Sequence, residues 1–392
     1  MRIGIDYTAA VRQGAGIGRY TRGLIRALAE IDQETPYVLF SAGRDPDPRP
    51  WPSNFSPRQV PLSDRHLSIV WHRLRLPLPI EWFTGPLDLF HSPDFVLPPV
   101  RRARTVLTIH DLSFLRYPEC FSPPLLRYLL AAVPRSVERA DLVLADSENT
   151  RDDLIELLGV PAESIRVVYA GVEPEFTPRP QAEVQAVRER YGIQRPYLLG
   201  LGTLQPRKNF RRLIEAYHLL REEHDIPQQL VIGGGHGWLY EPIMEAIERH
   251  GLQEDVRLIG FCDDADLPAL YTGADLFAFP SLYEGFGIPV LEAMACGTPV
   301  VAADTSSLPE VAGDAALLVP PTDVEALAQA LWLALDDSAL RETLRARGFE
   351  QCRRFTWHDS AHRLLECYEE LLAGEAQASP LREHGLPHES EQ

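Results

Sequence analysis

The chain has 392 residues, 45% of them hydrophobic, with 38 basic and 56 acidic side chains and a formal charge of −18. That length suits two domains. The acidic excess lies wholly after residue 172, since the first 172 residues hold 20 Arg and 20 Asp plus Glu against 18 basic and 36 acidic residues in the remainder; neither half is net basic, which argues against a nucleic-acid partner while permitting a local basic patch in the neutral half.

Arg2-Ile3-Gly4-Ile5-Asp6 reads as a strand, followed by Gly14-Ala15-Gly16-Ile17-Gly18-Arg19-Tyr20, a glycine loop that opens an amphipathic helix to about Ile31. The G-x-G-x-G spacing is not the G-x-G-x-x-G of a dinucleotide site. The second strand, Tyr37-Val38-Leu39-Phe40, also runs into Ser41-Ala42-Gly43 without an acidic residue for a ribose, so a nicotinamide cofactor is excluded. A strand in the first residues leaves no room for a signal peptide, and no apolar run reaches the ~18 residues of a bilayer span. Five scattered Cys without a C-x-x-C pair or Cys/His metal spacing fit a reduced compartment. A cytoplasmic protein is expected. The segment from Arg65 to Phe83 interleaves Arg65, Arg73 and Arg75 with Trp71, Trp82 and Phe83, and Leu125 to Val133 is apolar beside Arg127 and Arg135. Both are candidates for peripheral contact with the inner face of the cell membrane, set against the plainer reading of core plus solvated edge.

Thr105-Val106-Leu107-Thr108-Ile109-His110-Asp111-Leu112 is a strand ending in a His-Asp pair, at the carboxyl end where open α/β sheets bind ligands. His110 can steady a ligand hydroxyl or developing charge through a neutral ring nitrogen. The competing reading is a His bonded to local backbone, with Asp111 capping a turn. Asp141 to Thr150 reads as a strand and a helix N-cap region, where capping accounts for Ser147 and Asn149. Glu173 to Pro180, with Pro174, Pro178 and Pro180, links the two halves.

In the second half, Tyr197-Leu198-Leu199-Gly200-Leu201-Gly202-Thr203 is a strand running into Leu204-Gln205-Pro206-Arg207-Lys208-Asn209, with a helix from about Phe210 to Leu220. Two cations before a helix N-terminus suit a departing diphosphate. Lys208 is the single Lys in a chain with 37 Arg. Farther on, Ala274 to Pro280 reads as a buried strand, Glu284-Gly285-Phe286-Gly287 as a loop and Ile288-Pro289-Val290-Leu291-Glu292 as a helix start, with Pro289 in its first turn. The two carboxylates lie roughly 7 to 10 Å apart by helix rise, within reach of one ligand made of a sugar and a ribose. Phe355-Thr356-Trp357-His358 precedes a last amphipathic helix to about Leu372, with Thr356 as its cap. The tail from Gly374 to Gln392 lacks apolar periodicity and is expected to be disordered.

The stretch from Glu284 through Val300, with Gly200 to Asn209, resembles the E-x7-E signature and phosphate loop of retaining glycosyltransferases of family 4, which have the GT-B fold. The resemblance covers about residues 1 to 373. It implies two Rossmann-like domains, 1-172 on the acceptor side and 173-355 binding the nucleotide-sugar, facing across a cleft, with residues 356-373 as a helix crossing back to the first. It also implies that Glu284, in its loop with Gly285, Phe286, Gly287 and Ile288, contacts the donor sugar, that Glu292 bonds the ribose, and that Arg207 and Lys208 hold the donor phosphates beside Gly202. His110 would lie near the donor sugar, Gly16 would let backbone approach donor phosphate and acceptor, and Gly260 and Phe261 would flank the base. Glu284, His110, Arg207 and Lys208 are the expected catalytic group.

The activity so implied is a retaining hexosyl transfer to a glycan or lipid-linked acceptor, with no metal and no cofactor beyond the nucleotide-sugar. The motifs most resemble bacterial mannosyltransferase-like enzymes of surface polysaccharide biosynthesis, so GDP-mannose is the first expected donor, with UDP-glucose, UDP-N-acetylglucosamine and dTDP-sugars as alternatives. Two other classes share the grip. A nucleotide-sugar epimerase or hydrolase would act without a glycosyl acceptor, and a non-catalytic sensor would be indifferent to Glu284→Ala.

Overall fold

A computed structural model describes residues 1–14, 16–43, 49–74 and 76–374. Ala15, Arg75 and the tail beyond Gly374 lie outside the described residues. The chain divides into two compact units, the first made of Met1–Leu115, Pro124–Gly171 and the chain from Trp357, the second of Arg116–Pro123 and Val172–Thr356.

The first unit is built on seven parallel strands: β1 (Ile3–Asp6), β2 (Tyr37–Ala42), β3 (Phe55–Val60), β4 (Leu89–Ser92), β5 (Arg104–Ile109), β6 (Leu142–Ala145) and β7 (Ile165–Val167), in the order β3-β2-β1-β4-β5-β6-β7. Ile3 faces Tyr37 on one side and Leu89 on the other. β2, β4 and β6 are buried at every residue, as in a parallel sheet covered on both faces, and β6 is a continuous apolar run. β3 is the exception. It is an edge strand, mostly exposed, and it tolerates Pro57 because one of its sides needs no ladder.

The last helix, Trp357–Ala373, follows the second unit in sequence but packs within the first. It lies on helix Ile17–Ile31 so closely that a Cβ at Gly23 would come 2.3 Å from Cε2 of Trp357. Ser360 Oγ donates to the Tyr169 carbonyl at 2.6 Å, and the Tyr368 hydroxyl meets His91 Nδ1 at 2.6 Å.

The second unit carries six parallel strands, β8 (Tyr197–Leu201), β9 (Gln229–Gly233), β10 (Val256–Gly260), β11 (Leu276–Phe279), β12 (Val300–Ala303) and β13 (Ala316–Val319), ordered β10-β9-β8-β11-β12-β13. Helices Phe210–Glu223 and Val324–Asp336 bury Leu213, Tyr217, Leu220, Leu327 and Leu331 in one cluster. Strand order reverses between β8 and β11, so the loops leaving their carboxyl ends diverge and open a crevice, the place where such sheets bind ligands. In the first sheet the reversal falls between β1 and β4. Arg116–Pro123, which the sequence reading put in the first half, belongs here because Trp238 Nε1 donates to the Cys120 carbonyl at 2.6 Å, with Phe121 against Trp238 and Tyr117 against Tyr283.

Candidate active site

The loop after β8 begins at Gly202, whose φ of +151° and lack of a Cβ let the Lys208 stem lie against it; a Cβ there would meet Lys208 Cε, Cδ and Cγ at 3.1 to 3.3 Å. A single tight turn, Pro206–Lys208, then presents both cations, and Asn209 in the left-handed region turns the chain into helix Phe210–Glu223. Its side-chain amide donates to the carbonyls of Pro280 and Pro321, at 2.9 and 2.7 Å, which ties this loop to the one after β11. Leu282 N donates to the Arg207 carbonyl at 2.8 Å and completes the seam.

Across that seam, Arg207 Nη1 donates to Glu284 Oε2 at 2.9 Å and to the Tyr283 carbonyl at 2.6 Å, while Lys208 Nζ meets Glu284 Oε1 at 2.6 Å. Lys208 Nζ also sits 5.0 Å above the Phe279 ring. Burial alone would raise the Glu284 pKa, but the two cations outweigh it and hold the carboxyl down at about 2. The cluster stands at the carboxyl ends of β8 and β11, beside the crevice that their reversal opens. Ser306 Oγ accepts from Glu284 N at 2.9 Å, and Ser307 Oγ donates to the carbonyls of Glu284 and Phe286 at 2.9 and 2.8 Å. Gly285 and Phe286 are buried in this loop, and Gly287, at φ +107°, caps helix Ile288–Ala295. That helix carries Glu292, 1% exposed, which accepts from the Tyr271 hydroxyl at 2.9 Å.

A second glycine loop, Gly233-Gly234-Gly235-His236-Gly237, lies beside the first. Gly202 N donates to the Gly233 carbonyl and Gly234 N to that of Gly260, and a Cβ at Gly234 would strike the Gly202 carbonyl at 1.9 Å. Through it, Gly260 at the end of β10 is brought to the phosphate loop. Phe261, the next residue, is 60% exposed.

In the first unit, Gly16 starts helix Ile17–Ile31 at φ +56° with open space where a Cβ would point; the crowded position is Gly18, whose Cβ would lie 2.1 Å from the Gln13 carbonyl. Tyr20, one turn on, packs edge-on to His110 with ring centroids 4.8 Å apart. His110 is buried, with Nδ1 2.6 Å from Asp146 Oδ2 and Nε2 3.1 Å from the Pro93 carbonyl. Burial would lower its pKa, yet the adjoining Asp146 carboxylate carries it up to about 9. Burial raises the Asp146 carboxyl in turn, so one proton lies in the short Nδ1–Oδ2 contact between the two groups. Asp111 accepts from Ser113 N at 2.8 Å, and Ser147 caps helix Glu148–Leu158, both in structural roles.

Two domain models match the chain, Glycosyltransferase Family 4 over residues 14–176 and Glycosyl transferases group 1 over residues 184–351. The O-antigen chain mannosyltransferase B of Escherichia coli is 35% identical over 367 residues, covering 91% of this chain and 96% of that one. The chain belongs to glycosyltransferase family 4. A serotype-specific mannosyltransferase WbdA of Escherichia coli is 32% identical over 70% of this chain, though over only 35% of its own length. Sucrose-phosphate synthase from Thermosynechococcus elongatus superposes with a TM-score of 0.76 at 23% identity, over 95% of this chain and all of that one, which places the two sheets in the GT-B fold.

For a family 4 glycosyltransferase, several supporting residues escaped the sequence reading. Ser306 and Ser307 shape the Glu284 loop, Asn209 joins the two loops, and Asp146 bonds Nδ1 of His110. The run Gly233-Gly234-Gly235 after β9, which meets Gly202 and Gly260, was a visible signal that the sequence reading did not use. Of the segments considered for membrane contact, Trp71 drops out: it is buried, packs tilted on Phe40 and edge-on to Phe83, and donates from Nε1 to the Leu78 carbonyl at 2.8 Å. Trp82 and Leu74 are exposed, at 67% and 59%. No described helix is long and apolar enough to cross a membrane.

Proposed function

We propose that this glycosyltransferase moves mannose from GDP-mannose, with retention of anomeric configuration, to a glycan or lipid-linked acceptor in surface polysaccharide assembly. The observation that carries the donor site is the Arg207–Lys208–Glu284 cluster at the β8/β11 reversal. As the sugar–phosphate bond breaks, negative charge grows on the diphosphate, and two cations already fixed in a largely buried loop stabilise it without reorganising. They stand where a divalent ion acts in other phosphoryl chemistry, so activity is proposed to survive a chelator. Glu284 orients the sugar and Glu292 the ribose, while Gly260 and Phe261 flank the base.

The similarity to O-antigen chain mannosyltransferase B supports mannose as the sugar. A front-face route, with the leaving phosphate taking the acceptor proton, is favoured over a glycosyl ester on Glu284. Both carboxylate oxygens of Glu284 are committed to cations and its pKa is held at about 2, which makes it a poor nucleophile. The test is product analysis with each candidate donor and a mannosyl acceptor, reading the anomeric configuration by NMR. An inverted product, or a sugar ester trapped on Glu284, rejects the front-face reading.

Peripheral contact with an anionic lipid surface is proposed through Trp82, Leu74 and Leu76 with Arg73, all exposed or half-buried on the first unit. Trp82→Ala with Leu74→Ser should lower flotation with anionic vesicles. Equal flotation of parent and variant removes the contact.

A further inference from the structure

The segment Arg116–Pro123 has both flanks in the first unit and yet packs in the second. It bends around a single tight turn, Pro118–Cys120. On one side of that turn Tyr117 lies against Tyr283, in the loop after β11, with ring centroids 6.1 Å apart. On the other, Phe121 lies against Trp238, in the loop after β9, at 6.3 Å, and Trp238 Nε1 donates to the Cys120 carbonyl at 2.6 Å. The sheet order β9-β8-β11 puts the loop after β8, with Arg207 and Lys208, between these two anchors. The spans agree. Two strand spacings are about 10 Å, and Tyr117 to Phe121 reaches at most about 14 Å when extended, less through the turn. Cys120, between the anchors, is 2% exposed; burial and Glu119 push its thiol up, and the Arg207 charge, close enough to act on it, pulls the other way.

Each anchor is laced by backbone to the Arg207 loop. Trp238 follows Gly237, whose N–H donates to the Leu204 carbonyl at 3.1 Å, and Leu204 N in turn donates to the Gly235 carbonyl at 2.9 Å. A Cβ at Gly237 would stand 2.6 Å from the Leu204 carbonyl, a contact too close for a larger residue. On the other side the Tyr283 carbonyl accepts from Arg207 Nη1 at 2.6 Å, and Leu282 N donates to the Arg207 carbonyl at 2.8 Å. We propose that Tyr117–Phe121 is a strap that fixes the Arg207–Lys208 turn for the donor diphosphate, with Trp238 as the positioning residue that seats it. The proposal rests on the transferase reading for its ligand. Linkage makes the effect reciprocal: the factor by which a seated strap raises nucleotide affinity is the factor by which bound nucleotide favours the seat. Packing against a turn that is rigid without the strap makes no such connection.

Cys120 reports the seat, because its buried thiol meets a reagent only when the strap lifts. Alkylation of the native protein by iodoacetamide, read residue by residue by mass spectrometry, should slow about fivefold at Cys120 with saturating GDP and stay constant at Cys367 in the first unit. Trp238→Phe keeps a ring against Phe121 and loses the N–H, a bond whose ordinary net worth is about fivefold in an equilibrium. Cys120 alkylation should rise by about that factor and GDP affinity, read by calorimetry, should fall with it; Phe121→Ala should act in the same direction from the strap's own side. Alkylation indifferent to GDP in a protein that binds GDP overturns the proposal without any variant. Faster alkylation with unchanged GDP affinity in Trp238→Phe overturns it as well. UDP takes the place of GDP where the cleaved donor is a UDP-sugar. Binding of neither nucleotide rejects the transferase reading, and inorganic pyrophosphate then decides the strap alone: slowed alkylation of Cys120 keeps it, and indifference removes it.

Discussion

Replacing Glu284 with Gln keeps the shape of the side chain and removes the charge that Arg207 and Lys208 share. A protonated Glu284 is nearly the same species, so acid titration of the native protein and the substitution measure one quantity. The carboxyl pKa falls from 4.5 in the unfolded chain to about 2 in the fold. Because the folded value is the lower one, the stabilisation is complete above pH 4.5 and fades as the pH drops toward 2. Its size is about 3 kcal/mol, within the range for breaking a buried ion pair and leaving its cations uncompensated. Chemical denaturation followed in the second unit, at pH 7 and at several values between 4.5 and 2.5, is the assay. Glu284→Gln should unfold about 3 kcal/mol more easily at pH 7, with a midpoint some 6 to 12 °C lower by heat, and the difference should shrink through the acid range. Equal stability at pH 7, or a deficit that does not change with pH, would refute the reasoning from the cluster.

Other expectations follow from the same packing. Gly202→Ala puts a methyl against the Lys208 stem at a backbone conformation that disfavours it, so donor cleavage should fall at least tenfold with the fold intact by circular dichroism. Asn209→Ala strips the carbonyls of Pro280 and Pro321 of their donor, and denaturation should show a loss of about 2 to 4 kcal/mol in the second unit. Gly23→Leu drives a side chain into the Trp357 indole, and the unfolding of the first unit should shift by about 1 to 3 kcal/mol, with a change in tryptophan fluorescence.

What the sequence made legible was local. Glycines and charges at strand ends named Gly202, Arg207, Lys208 and Glu284, and the alternation of buried strands with amphipathic helices named the fold. The sequence could not show that the two loops meet, because the meeting is made by strand order: β8 and β11 are neighbours although far apart in the chain. Asn209 reaching Pro280 and Pro321, or Ser307 holding two carbonyls, looks in sequence like any short polar residue in a loop. The pairing of His110 with Asp146 was not legible because the two are 36 residues apart. Trp71 next to arginines reads the same whether it faces water or the core. Gly16 has open space where a Cβ would point, and the sequence did not show that the carbonyl of Gln13 makes Gly18 a second position only glycine fits.

The central claim is that the Arg207–Lys208 loop holds the diphosphate of a nucleotide-sugar while its sugar leaves. The direct measurement is acceptor-free release of nucleoside diphosphate from GDP-, UDP-, ADP- and dTDP-sugars, with a chelator present, comparing the native protein with Lys208→Ala. The account predicts slow cleavage of one donor, GDP-mannose, reduced about 10²- to 10³-fold in the variant. Cleavage that is indifferent to Lys208, or dependent on added divalent metal, would contradict it.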